Sequence, residues 1–92
     1  WEYQKNMPKD SRFDLVTLNP GIVVGPQLNG TADNVGNGYI LSMLKGEAGP
    51  NMSFTTGWID VRDVALAHVN ACKIDAAANR RYILSVKNAI WM

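Results

Sequence analysis

The sequence predicts an α/β fold carried on parallel strands, and three observations support it. A short apolar run, Phe13 to Leu18, stops at Asn19-Pro20-Gly21. Leu15, Val16 and Leu18 give that run no clear polar face, which is the pattern of a strand buried in a parallel sheet. An amphipathic helical run opens after Asp60, and a second strand-like run, Tyr82 to Ser85, follows it. Alternation of strand and helix is the order expected of this class.

Each element has a local reason. Residues 1–6 read as the tail of a helix, and Pro8 forbids its continuation. Lys9-Asp10-Ser11-Arg12 is a polar connector. Phe13 to Leu18 is the buried strand. Pro20 cannot donate to a sheet ladder and Gly21 permits a close approach of the backbone, so a rigid turn is expected at the strand end. Ile22-Val23-Val24 is a second apolar run, closed by Gly25-Pro26. Residues 27–31 read as a loop, with Asn29-Gly30 as its turn signal.

Asp33 or Asn34 can cap a helix that runs to about Lys45 and stops at Gly46. Tyr39, Ile40, Met43 and Leu44 share one apolar face at helical spacing. Gly36 and Gly38 weaken its first turn by about 1 kcal/mol each relative to Ala. Residues 47–56 form a loop rich in Gly, Pro, Asn and Ser. Gly57-Trp58-Ile59 is a short strand. Asp60 caps the next helix, with Asp63 in the first turn on the favourable side of the helix dipole. Val61, Val64, Ala65, His68, Val69 and Cys72 fall on one face of that helix, which ends near Lys73 or Ile74. Asp75 to Arg80 is a loop. Residues 88–92 read as the start of a further helix.

Charge and composition narrow the function classes. Nine basic and eight acidic residues leave a net charge of +1. They are scattered, so neither a nucleic-acid face nor a polybasic membrane patch is expected. No apolar run approaches the length of a membrane span. One cysteine, Cys72, allows no internal disulfide and fits a reducing, cytoplasmic setting. With a single histidine besides, the chain cannot supply a structural zinc site by itself, and no metal is expected. Asn29-Gly30-Thr31 and Asn51-Met52-Ser53 match the glycosylation sequon, a triplet that arises often by chance.

The chemistry-bearing candidates follow from position. In open α/β sheets, ligands bind beyond the carboxyl ends of the strands, which is where Pro20-Gly21 falls. His68 is the only histidine and hence the obvious acid/base candidate, but its place on an apolar helix face suits a packed structural role. Asp60, Arg62 and Asp63 are explained by capping and a local salt bridge. Cys72 has no basic neighbour on its own face to activate it. Gln27, Leu28, Tyr39, Met43, Phe54 and Trp58 could line an apolar pocket with a few polar groups, suited to an aldehyde or a ring ketone.

Residues 13–26, FDLVTLNPGIVVGP, closely resemble the late strand and Asn-Pro-Gly loop of the extended short-chain dehydrogenase/reductases, the epimerase/dehydratase superfamily. The resemblance is to the branch of dihydroflavonol reductases, cinnamoyl-CoA reductases and the aldehyde and methylglyoxal reductases. Trp1-Glu2-Tyr3 resembles the end of the helix after that family's catalytic lysine. Trp58-Ile59-Asp60-Val61-Arg62-Asp63-Val64-Ala65, with Ala67-His68, resembles its IDVRDVA-AH signature. Arg81-Tyr82-Ile83-Leu84-Ser85 resembles the strand that follows.

The resemblance implies the C-terminal portion of a Rossmann-type doubly wound parallel sheet, with part of the substrate-side lobe. Residues 1–92 would then be a single partial domain. It implies NADP(H), with NAD(H) as the alternative, and reduction of a small-molecule aldehyde or ketone to an alcohol. Pro20, Gly21, Ile22 and Val23 would bind the nicotinamide end, and Gln27 and Leu28 the substrate. No catalytic residue is assigned within the chain. The family's Tyr-x-x-x-Lys pair is missing: Tyr3 with Lys5 and Tyr82 with Lys87 have the wrong spacing. Its Gly-rich phosphate turn is missing too, since Gly36-Asn37-Gly38 lacks a third glycine and follows no strand. The chain alone is therefore expected to be catalytically incomplete. A sugar-nucleotide epimerase or hydroxysteroid dehydrogenase of the same superfamily, and a non-catalytic NAD(P)-binding or scaffold protein, are the alternative readings.

Overall fold

The computed structural model describes residues 1–30, 34–47 and 55–90. Helix α1 is Glu2–Lys5, followed by a 3-10 turn at Lys9–Ser11. Strands β1 (Thr17–Pro20) and β2 (Ile22–Val24) come next, then helix α2 (Val35–Leu44). Strand β3 (Thr55–Asp60) runs directly into helix α3 (Val61–Lys73). A 3-10 turn at Asp75–Ala77 leads to β4 (Arg81–Leu84) and β5 (Lys87–Ile90). The molecule is α/β with parallel strand pairs, as the sequence predicts.

β1 and β2 are one extended run that changes partner at Gly21. β1 pairs in parallel with β4, placing Leu18 opposite Tyr82 and Pro20 opposite Leu84. β2 pairs in parallel with β3, placing Ile22 opposite Trp58 and Val24 opposite Asp60. β5 adds to the far edge of β3 in the antiparallel sense. The geometry leaves no room for a side chain at the changeover: a Cβ on Gly21 would overlap the carbonyl of Gly57.

The first strand differs from expectation. Its ladder begins at Thr17 and includes Asn19 and Pro20, and residues 13–16 are irregular. Pro20 fits because donors alternate along the strand. The N–H groups of Thr17 and Gly21 reach Arg80 and Leu84, so the nitrogen of Pro20 faces the other edge, where no donor is required. Residues 15–18 are half-buried and Phe13 is exposed.

A polar knot replaces the missing ladder at residues 13–16. Asn79 has φ of 60°, in the left-handed region that Asn tolerates better than most residues. Its Oδ1 accepts from the Leu15 N–H at 3.2 Å and from Gln4 Nε2 at 2.7 Å. Its Nδ2 donates to Asp14 at 3.0 Å. Gln4 Nε2 also donates to the Phe13 carbonyl. The buried Gln4 thereby ties α1 to the segment that leads into β1 and to the turn before β4.

Helix α2 is bounded as the sequence suggests. Asn34 caps it, accepting from the Asn37 N–H at 2.7 Å; Asp33 lies outside the described residues. Gly46, with φ of 71°, ends it. The N–H groups of Gly46 and Glu47 return to Met43 and Ser42, the two bonds of a Schellman motif. The inward face is only partly the predicted one. Gly36 is buried and Asn37 and Met43 are half-buried, whereas Tyr39, Ile40 and Leu44 are exposed. A Cβ on Gly36 would overlap the Val23 carbonyl, so the absence of a side chain sets the helix directly on β2.

Helix α3 is also turned from the predicted face. Val64, Ala67 and Ala71 are its half-buried residues, while Ala65, His68, Val69 and Cys72 are exposed. The inward positions carry mostly alanine, whose single carbon allows close approach to the strands. His68 is thus not a packed core residue among the described elements. The predicted helix at 88–92 is a strand as far as Ile90, because residues 87–90 find backbone partners along the free edge of β3; residues 91–92 lie outside the description. β3 likewise starts at Thr55, inside the predicted loop. Among the described residues, the buried apolar side chains are Ile59 and Ala77.

Candidate cofactor and substrate groove

The C-terminal ends of β2 and β3 lie side by side, and the chain leaves both at once. After Val24 it turns at Gly25, with φ of 134°, into Pro26. After Asp60 it enters α3. Gly25 is tight against that helix start: a Cβ there would lie 3.0 Å from Val61 Cγ1 and 3.3 Å from Asp60 Oδ1. The start of α2 closes the third side. The result is an open groove of about 540 Å³, lined along β2 from Gly21 to Pro26 and across from it by Asn34, Val35, Gly36 and Val61.

Three of the four predicted cofactor residues, Gly21, Ile22 and Val23, line this groove. Pro20 is exposed at the end of β1 and stands outside it. Of the predicted substrate residues, Gln27 is half-buried just past the groove, and Leu28 is fully exposed. Trp58 is half-buried in β3, opposite Ile22. Tyr39 and Met43 lie on α2 away from the lining, and Phe54 falls outside the described residues. Sequence reasoning missed the rest of the wall: Val24, Gly25, Pro26, Asn34, Val35, Gly36 and Val61. The sequence does contain a signal for Gly25 and Pro26, which directly follow a strand, because ligands in open α/β sheets bind beyond the carboxyl ends of the strands.

The groove is a wall, not a catalytic centre. Its side chains are largely aliphatic, and no acid or base of the described residues lines it. The nearest carboxylate, Asp60, is committed elsewhere. It accepts from the Arg62 N–H at 2.8 Å, from Arg62 Nε at 2.9 Å and from Nη2 at 2.7 Å. These hydrogen bonds hold the Asp60 carboxyl at about 2, below its usual 3.8, and raise the pKa of Arg62 further. Asp60 therefore stays ionised as a helix cap, in agreement with its sequence reading.

His68 belongs to a second groove, between α3 and β1, which also touches Leu15, Val16 and Cys72. Its Nδ1 lies 2.8 Å from the Val64 carbonyl. A carbonyl only accepts, so Nδ1 carries the hydrogen. Among the described residues there is no cluster of three or more metal-ligating side chains, and no helix is long and apolar enough to cross a membrane.

Comparison with known proteins places this geometry. Cinnamoyl-CoA reductase 1 of Arabidopsis thaliana is 42% identical over 77 residues, which cover 84% of the chain and 22% of the reductase. Among solved structures, Gre2 from Candida albicans superposes with a TM-score of 0.79 at 34% identity, over 98% of the chain and 28% of Gre2. The chain is homologous to the extended short-chain dehydrogenase/reductases. A second Gre2 structure from the same organism, described as its NADPH complex, gives a TM-score of 0.76 at 30% identity and the same coverage. The chain thus spans between a fifth and a third of the length of these reductases. No protein-family model matches it. The parallel pairs β1–β4 and β2–β3 are a small part of the Rossmann-type sheet of such reductases.

Proposed function

We propose that this chain forms the nicotinamide side and part of the substrate wall of an NADP(H)-dependent reductase that converts an aldehyde or ketone to an alcohol. The observation that carries the reading is the position of Gly21, Ile22 and Val23, along an apolar groove at the carboxyl end of a parallel strand. A nicotinamide ring is flat and needs an apolar surface against one face, and β-branched side chains at a strand end provide it. The residues present fit such a group. When bound, it supplies the hydride that reduces the carbonyl carbon.

The role of this chain is then to bind and orient. Ile22 and Val23 exclude water from one side of the ring, and a dry surface strengthens every polar contact made there. The backbone beyond Val24 carries Gln27 toward the substrate. A proton donor must reach the substrate oxygen, and the described lining of the groove holds none; in this reading another part of the enzyme supplies it. The thin core supports the partial-domain reading. With Ile59 and Ala77 as the buried apolar residues described, the faces of β1 and α3 call for further protein to cover them. The compartment that suits a lone exposed thiol, Cys72, is the cytoplasm.

The test uses the full-length reductase. NADPH is titrated by fluorescence against wild type and Ile22→Asp, with circular dichroism matched first. A charge on the ring-facing wall should weaken binding at least tenfold, about 1.4 kcal/mol. Equal dissociation constants in two well-folded proteins would place the nicotinamide elsewhere. Absence of NADPH binding by wild type would favour the scaffold alternative.

A further inference from the structure

The Gly25 peptide leaves the β ladder before any other strand can partner it, yet both of its polar groups are paired by one side chain. Asn37, in the first turn of α2, accepts from the Gly25 N–H through Oδ1 at 3.2 Å. It donates through Nδ2 to the Gly25 carbonyl at 2.9 Å. The amide orientation is fixed by this pair, since only one arrangement satisfies a donor and an acceptor together. The side chain stands in for a neighbouring strand for the length of one residue. It is half-buried, and its own N–H is held independently by Asn34.

Gly25 is the hinge between two sets of contacts. Before it lie Ile22 and Val23, the proposed cofactor wall. After it come Pro26, whose ring restricts the backbone, and Gln27, the proposed substrate contact. Gly25 itself has a backbone conformation with few restraints of its own. Its direction is therefore set by what holds its peptide groups.

We propose that Asn37 is a positioning residue for the carbonyl substrate: its two hydrogen bonds fix the exit angle of the chain at Gly25 and so place Gln27 relative to the nicotinamide wall. This rests on the reductase reading above. Asn37 acts through Gly25 and touches neither hydride nor proton. Its effect should fall on the substrate side, because Ile22 to Val24 are held separately by the ladder to β3.

The experiment uses full-length enzyme, with NADPH and cinnamaldehyde or methylglyoxal as probes, and three measurements. In Asn37→Ala, amide exchange at Gly25 should accelerate at least tenfold while the amides of α2 after Asn37 stay protected. The KM for the aldehyde should rise about tenfold, with the NADPH dissociation constant within twofold of wild type. Asn37→Asp should behave like Asn37→Ala at neutral pH, because the introduced carboxylate faces the Gly25 carbonyl without a donor. It should recover as the pH falls and the carboxyl gains a proton to donate. Unchanged exchange at Gly25 overturns the lock. Faster exchange with an unchanged KM, or an equal loss of NADPH affinity, overturns its role in substrate positioning. If wild type neither binds NADPH nor reduces the probes, the reductase reading fails and the positioning role fails with it. The exchange measurement then still reports whether the Gly25 lock exists.

Discussion

Asp60 and Arg62 are joined three times within two residues, through one backbone and two guanidinium hydrogen bonds to a single carboxylate. The pair seals the point where β3 becomes α3. It is exposed, with the Arg62 side chain 73% accessible, so salt should weaken the ionic part more than the cap. Asp60→Ala should lower the denaturation midpoint of the protein. The pH dependence follows from the depressed pKa. The unfolded carboxyl takes up its proton near 3.8 and the folded one near 2. The contribution is thus fully present above the higher value and fades as the pH falls through the lower one. Denaturation of wild type and mutant between pH 2 and 7 tests this. A gap that does not narrow toward pH 2 would separate the stabilisation from the charge.

Two glycines make opposite predictions for the same substitution. Gly21→Ala drives a methyl group into the Gly57 backbone and should cost about 3 kcal/mol, the upper part of the range for overpacking. Gly38→Ala meets nothing within 4 Å and lies inside α2, where it should stabilise by about 1 kcal/mol. Urea denaturation of both variants decides. Equal effects would mean that the strand run can bend away from β3.

Asn79 combines a backbone and a side-chain role, and two variants separate them. Asn79→Gly keeps the left-handed backbone but loses the bonds to Leu15, Gln4 and Asp14. At about 1 kcal/mol for a typical hydrogen bond, a loss of about 3 kcal/mol is expected for the three. Asn79→Ala should cost about 1 kcal/mol more, because a Cβ disfavours that backbone region. If alanine were no worse than glycine in thermal unfolding, the left-handed conformation would not survive in the mutant.

His68→Gln should leave turnover within about threefold of wild type from pH 5 to 8. The ring is exposed, hydrogen-bonded to its own helix at Val64, and lines a groove separate from that of Ile22 and Val23. A general base or acid typically contributes a hundredfold or more. A loss of that size in a folded mutant would make His68 catalytic.

Much of the fold was legible because its signals are local. Asn34 and Asp60 are caps, Gly46 is a helix stop, and Pro26 and Gly25 end a strand; each acts within a few residues. The face of α2 was not legible. Helical periodicity groups Tyr39, Ile40, Met43 and Leu44 on one face, of which Met43 alone is half-buried, but the helix approaches β2 through Gly36, which carries no hydrophobic signal at all. β5 was missed for a related reason. Its strand character comes from pairing with β3 some thirty residues earlier, a contact that no window over residues 87–90 contains. At the site, Ile22 and Val23 were found through the family resemblance, as the residues that follow the Pro20-Gly21 strand end, while Asn37 was invisible because its partner is a backbone twelve residues away.

The change of partner at Gly21 constrains how this stretch could ever change length. Residues 17–20 are in register with β4 and residues 22–24 with β3, with a single residue between the two ladders. One inserted residue on either side would turn every side chain of one strand to its opposite face while the other strand stayed in place. Loops can absorb such an event by bulging outward. Here no loop separates the two, so an insertion must break one sheet to spare the other. This stretch should tolerate replacement of its side chains far better than any gain or loss of a residue.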